Sequence, residues 1–218
     1  MNIHACIFDM DGVLIDSGVW HRAAWSELLA ELGEEPSRPD YWRLTIGRPS
    51  EEAIPLLLGR PVPDWEAYHL ARRKRDHYVR LSRQGMRAVT GVADFVADLV
   101  RRRMPLAVGT SASSYDVDHL LHAVGLLKHF PVVVTADDVT LGKPDPEVYL
   151  LAARRLRADP AHCVVFEDST VGIQAARAAG MRAVGVATAY AEAELRAAGA
   201  ERVIDHFEGL TWETIGSG

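Results

Sequence analysis

A chain of 218 residues with 48% hydrophobic and 25% charged residues is long enough for one large domain or a core domain carrying a smaller one, and its composition is that of a globular rather than a disordered protein. A formal net charge of -6 argues against general affinity for nucleic acid or anionic membrane, and any positive charge that meets an anionic substrate must be concentrated locally. The N-terminus opens on a strand-like run rather than a signal peptide, and no apolar run approaches the length of a membrane span, so a cytoplasmic protein is expected.

The first predicted element is the apolar run HACIF, residues 4–8, read as a central strand. Residues 17–85 contain no strong strand candidate. They show helical patterns punctuated by prolines at 36, 39, 49, 55, 61 and 63. His21, Trp25, Leu28, Leu29 and Leu32 share one helical face by spacing, and beyond Pro63 the same is expected of Trp65, Tyr68, Ala71, Tyr78 and Leu81. From about residue 90, Val-rich runs at 105–110, 131–135, 163–167, 182–187 and 202–204 alternate with helical segments, clearest at 91–103, 146–157, 169–180 and 190–199. Gly180 and Gly199 sit where helix C-terminal glycines belong. Strands alternating with helices predict an α/β, Rossmann-like core with a parallel sheet covered on both faces. Residues 1–16 and 87–218 form that core, and 17–86 an inserted helical cap. The cap joins the core near Asp16–Gly18 and near Gly85–Gly91, which permits hinge motion. Cys6 and Cys163 fall in or beside apolar runs and read as core residues; no disulfide or zinc site is implied.

Four segments carry chemistry. FDMDGVLIDS, 8–17, places Asp9 and Asp11 at the carboxyl end of the first strand, where ligands of open α/β sheets bind. Two carboxylates this close do not both ionise cheaply, so a nearby cation would keep one ionised and leave the other as an acid. An Asp-Gly turn is the plainer reading. VGTSASS, 108–114, follows another strand. Ser111, with the backbone N–H groups after it at Ala112 and Ser113, suits a phosphoryl oxygen, or else caps the next helix. LGKPDPEVYLLAA, 141–153, holds Lys143 before a Pro-Asp-Pro turn in which Asp145 is a natural N-cap and Pro146 a natural first helical residue. VVFEDSTVGIQAARAAG, 164–180, ends a strand on Glu167 and Asp168 before a helix capped by Ser169 or Thr170. Asp168 could give magnesium a second carboxylate, or the acidic pair could serve the helix dipole.

The order FDMDGVLIDS, TSAS, GKPDPEVY, FEDSTVGIQAA resembles the four motifs of the haloacid dehalogenase superfamily, in the branch of beta-phosphoglucomutases and sugar-phosphate phosphatases. The resemblance runs over essentially the whole chain. It implies Asp9 as nucleophile and Asp11 as general acid/base. It also implies magnesium held by Asp9, the backbone carbonyl of Asp11 and Asp168, with Glu167 supporting the metal shell, and a phosphoryl group bound by Ser111 and Lys143. Because dehalogenases of this fold lack the second aspartate, Asp11 points to phosphate esters. WHRAAW, 20–25, resembles a mutase cap segment in which a histidine couples closure to proton handling. That role would fall on His21, with packing beside Trp25 as the rival reading. The run Arg72, Arg73, Lys74, Arg75 would meet a second phosphate or, more ordinarily, form a solvated helix face. Arg48 is shifted from the place where mutases carry their distal-phosphate arginine, which Ser50 fills, and Ser114 stands where they tend to carry lysine. The expected activity is therefore a magnesium-dependent phosphatase acting, as a monomer, on a small phosphorylated metabolite. The alternatives are beta-phosphoglucomutase and a non-catalytic metabolite-binding protein. Trp20, Trp42, Arg48 and Trp65 are further candidates for selecting the substrate.

Overall fold

The structure, a computed structural model, describes residues 3–35, 40–83 and 85–216. Pro36 and Pro39 of the predicted insertion lie outside them. The strands are β1 (Ala5–Phe8), β2 (Leu106–Gly109), β3 (Val132–Val134), β4 (Cys163–Glu167), β5 (Arg182–Val186) and β6 (Arg202–Ile204). They form one parallel sheet in the order β3-β2-β1-β4-β5-β6, so β1 is central as its sequence suggests. The helices are α1 (Gly18–Leu32), α2 (Ser50–Leu58), α3 (Asp64–Ser82), α4 (Val92–Arg101), α5 (Ser114–Ala123), α6 (Glu147–Leu156), α7 (Thr170–Ala178), α8 (Glu192–Ala197) and α9 (Trp212–Gly216). None among the described residues is long and apolar enough to cross a membrane.

Period-2 alternation sorts the strand side chains into two cores. Cys6 and Phe8 of β1 join Val164 and Phe166 of β4 against α4, α5 and α9, with Phe8 stacked on Phe166 at 4.7 Å. Ala5, Ile7, Cys163 and Val165 face α6, α7 and α8 on the other side. Both cysteines are buried and free. The Val-rich character expected to mean burial on both faces holds for the inner strands only. At the two edges, Val132, Val133, Val203 and Ile204 are half-buried and Arg202 is exposed, because an edge strand is covered on fewer sides.

Helices α1, α2 and α3 enclose a third cluster built on Trp25, Leu28, Ile54, Leu57, Leu70 and Ala71. The face predicted for α1 buries Trp25, Leu28 and Leu29. The one predicted for α3 is wrong in its first turns: Trp65 and Tyr68 are 68% and 51% exposed. The buried stripe runs instead through Ala67, Leu70, Ala71, Lys74, Tyr78 and Ser82. Steps of three fall behind a 3.6-residue helix by about 60° each, so a pattern taken every third residue drifts off the buried side. The helix α6 starts one residue later than proposed, with Asp145 Oδ1 accepting from the Glu147 N–H at 2.9 Å. Ser169 caps α7 by accepting from the Gly172 N–H. Gly180 and Gly199 have the positive φ expected after a helix end.

Candidate active site

The carboxyl ends of the adjacent strands β2, β1 and β4 bring the four chemical segments together. Asp9 follows β1 directly, its N–H donating to Phe166 O at 3.0 Å, and Glu167 ends β4 with Asp168 next after it. Thr110 and Ser111 follow β2, and Lys143 reaches in from the loop before α6.

Lys143 is the pivot. Its ammonium donates to Asp9 Oδ1 and to Glu167 Oε1, both at 2.7 Å, and to Gly109 O at 3.3 Å. It lies 4.8 Å from the Tyr149 ring centroid and is 1% exposed. Burial disfavours its charge, but Asp9 and Glu167 outweigh this and hold it well above the ordinary lysine range. Glu167 is fixed from two further sides, by the Tyr149 hydroxyl at 3.0 Å and the Ser169 N–H at 2.6 Å. A Cβ at Gly172 would stand 1.7 Å from Glu167 Oε1, so the glycine is what lets the carboxylate sit there.

The carboxylates of Asp9, Glu167 and Asp168 offer oxygens within 4.8 Å of one another, all buried. Burial pushes Asp9 up to about 7 against the pull of Lys143. Burial, then Glu167 and Asp9, push Asp168 well above the usual carboxylate range. Three carboxylates share one ammonium, so ionised they leave uncompensated negative charge in a hard oxygen set, which is the donor chemistry of a divalent cation such as magnesium. Asp168 reaches the group because position 12 is glycine: a Cβ there would lie 1.9 Å from Asp168 Oδ2, at a φ of +74°.

The Asp11 carboxylate turns elsewhere. Ser17 Oγ donates to its Oδ1 at 2.5 Å, and His21 Nε2 lies 3.0 Å from the same oxygen. His21 Nδ1 in turn is 2.7 Å from Lys74 Nζ. An ammonium only donates, so Nδ1 accepts, the proton sits on Nε2, and Nε2–H donates to Asp11. Burial and Lys74 lower the His21 pKa, in keeping with a neutral ring. His21 and Ser17 overcome burial to hold Asp11 below the usual carboxylate range. His21 is also stacked on Tyr78 at 4.2 Å, so it has both polar and packing contacts.

The basic run 72–75 divides. Lys74 is buried, 4.9 Å from the Trp25 ring, and burial lowers its pKa to about 8. Arg73 pairs with Glu31, Arg75 with Asp116 and the Tyr115 ring, and Arg72 lies over Tyr68. Reading the run as one solvated face missed Lys74, whose neighbours Leu70, Ala71 and Tyr78, at i−4, i−3 and i+4 on the apolar stripe, were the available signal. Trp25 is 2% exposed, a core residue under Lys74. Ser111 Oγ donates to Gly47 O at 3.0 Å, which brings the loop before α2 onto the strand ends. The Ala112 N–H donates to Thr110 Oγ1, and the Ser113 side chain caps α5, so both serve the turn into that helix. Thr188, unremarked in the sequence, donates to Gly12 O at 2.7 Å and lies 3.4 Å from Asp168 Oδ2.

Comparison with known proteins gives a consistent result. The family model described as haloacid dehalogenase-like hydrolase matches residues 6–186. Fructose-1-phosphate phosphatase YqaB of Escherichia coli K12 is 38% identical over 180 residues, covering 83% of this chain and 94% of that protein. Beta-phosphoglucomutase of Bacillus subtilis is 31% identical, with 84% and 82% covered. Among solved structures, CbbY from Rhodobacter sphaeroides in complex with xylulose-(1,5)bisphosphate superimposes with a TM-score of 0.83 at 32% identity, covering 95% of this chain and 96% of that one.

Proposed function

We propose that this chain, which belongs to the haloacid dehalogenase-like hydrolase family, is a magnesium-dependent phosphatase of a small sugar or polyol phosphate that works through a phospho-aspartate on Asp9. The observation that carries the reading is the buried Lys143 bridging Asp9 and Glu167 beside Asp168, since it joins a nucleophile, a fixed cation and a metal-ligand set in one place. Phosphatases stand among the similar curated proteins, which supports hydrolysis over isomerisation.

In this mechanism an Asp9 carboxylate oxygen attacks phosphorus in line, and the bond from phosphorus to the ester oxygen breaks. Asp11 must first give up its contacts to Ser17 and His21 and take up a proton; in that form it protonates the leaving oxygen, is left ionised, and afterwards takes a proton from the water that hydrolyses the phospho-aspartate. The contacts from Ser17 and His21 favour its ionised form, which suits the second step. Lys143 meets the anionic phosphoryl group, and Ser111 can turn its hydroxyl from Gly47 O to a phosphoryl oxygen. Asp9, Asp168 and the Asp11 backbone carbonyl would hold magnesium, with Glu167 supporting that shell. Bound there, the ion supplies Lewis-acid stabilisation of the transferring group. Residues 17–86 act as a cap over residues 1–16 and 87–218.

Phosphorus NMR tests this with wild-type protein, magnesium, and either fructose 1-phosphate or beta-glucose 1-phosphate with a trace of the 1,6-bisphosphate. Release of inorganic phosphate, lost in Asp9→Asn, is the expected result. Conversion to glucose 6-phosphate with little free phosphate would make the protein a mutase instead.

A further inference from the structure

Tyr149 stands in the first turn of α6 and is 0% exposed, yet it carries a hydroxyl. Its place is set by the same loop that supplies Lys143. The Pro-Asp-Pro turn starts the helix, and the Tyr149 N–H donates to Pro146 O at 3.1 Å. The ring lies against Gly109 at the end of β2, where a Cβ would stand 3.1 Å from two of its carbons. A side chain at 109 would therefore press the ring away from the site.

This side chain meets the site in two ways. Its ring centroid is 4.8 Å from the Lys143 ammonium, a cation–π contact that strengthens where water is excluded. Its hydroxyl donates to Glu167 Oε1 at 3.0 Å, the same oxygen that accepts from Lys143 at 2.7 Å. The other Glu167 oxygen takes the Ser169 N–H at 2.6 Å. Without the phenol, Oε1 would keep only Lys143, and the two groups could shift together. Filling the space beside Gly109 needs a ring but no hydroxyl. A buried hydroxyl is costly unless it has a partner, and here the partner is a carboxylate of the proposed metal shell.

We infer that Tyr149 is a positioning residue for the reaction, with two separable tasks. Its hydroxyl fixes Glu167 for magnesium, and its ring fixes the Lys143 ammonium for the phosphoryl group. It acts only through those two side chains, so the inference rests on the roles proposed for them above.

Tyr149→Phe removes the hydroxyl and keeps the ring, whereas Tyr149→Leu removes both. The readouts are calorimetric titration with magnesium, phosphate release from fructose 1-phosphate across magnesium concentrations, and urea unfolding of each metal-free protein. Tyr149→Phe should weaken magnesium binding by about tenfold or more, and its kcat should recover as the metal is raised. Tyr149→Leu should lose the same affinity and stay about tenfold below wild-type kcat at saturating magnesium. Wild-type magnesium affinity in Tyr149→Phe overturns the inference, whether or not Tyr149→Leu folds. So does a drop in unfolding midpoint with no change in affinity, which would leave Tyr149 as packing alone. Equal kcat in the two variants at saturating metal overturns the task given to the ring. A wild-type protein that binds no magnesium would instead refute the metal reading, and this inference with it.

Discussion

Replacing Lys143 with methionine removes the buried cation that Asp9 and Glu167 share and keeps most of its stem volume, so the packing penalty is small. The electrostatic penalty is not. At 2.7 Å a pair of unit charges interacts by about 6 kcal/mol at an effective dielectric of about 20. Lys143 makes two such contacts, largely offset by the cost of dehydrating the three ions. Removing one member of a buried ionic group leaves the others dehydrated and unpaired, a change that costs about 3–5 kcal/mol in general. Lys143→Met should therefore lose about that much stability at pH 8 in the presence of a chelator. The deficit should shrink on acidification. Asp9 already sits at about 7 in the folded protein, above its unfolded value, so the folded state binds more protons between the two and loses stability as pH rises. Without Lys143 that window widens upward, and the deficit must be larger at pH 8 than at pH 5. Urea unfolding followed by far-UV circular dichroism at both values measures it. A deficit under about 1 kcal/mol, or one that does not change with pH, would refute the assignment of Lys143 as the charge that holds these carboxylates together.

Three further outcomes follow from individual contacts. Gly12→Ala would push a Cβ into Asp168 at a positive φ, so magnesium affinity should fall by about 10–100-fold, read by calorimetric titration of the metal, with the metal-free fold weakened as well. Lys74 has its pKa lowered to about 8, so the folded protein carries a charge penalty below pH 8 that is relieved as pH rises toward the unfolded lysine value. Relative to Lys74→Met, the wild-type protein should gain up to about 3 kcal/mol between pH 8 and pH 10.5, and urea curves parallel across that range would contradict the burial of a charged amine there. Asp11→Asn should slow esters with poor leaving groups by about 100–10,000-fold and activated aryl phosphates much less. Equal loss across leaving groups of different acidity, in a series of steady-state rates, would remove Asp11 as the proton donor.

The core was legible because its signals are local and strong. Each inner strand is a short apolar run, and Ser169 and Gly180 mark the limits of α7 by chemistry that needs no tertiary context. The four chemical segments were legible for a related reason, since each follows a strand and parallel strands put all their carboxyl ends on one side. What sequence could not give is which partner a side chain meets. Lys74 looked like one cation in a basic run, and only the packing of α1 against α3 sets it against His21 and Trp25. The α3 face failed only in its first turns, where apolar residues taken every third position drift off the buried side, while Ala71 and Tyr78 lie on it. Asp11 is the subtler case. Its spacing from Asp9 suggested two carboxylates facing one centre, yet the chain leaves the strand after Phe8, and Ser17 and His21 take up the second carboxylate.

The distribution of charge explains how an acidic chain can handle an anion at all. Where phosphorus would react, three carboxylates surround one ammonium, so with Asp9, Glu167 and Asp168 all ionised the pocket keeps net negative charge until a divalent cation enters. Two sources of positive charge are then needed together, because Lys143 alone is already matched by Asp9 and Glu167.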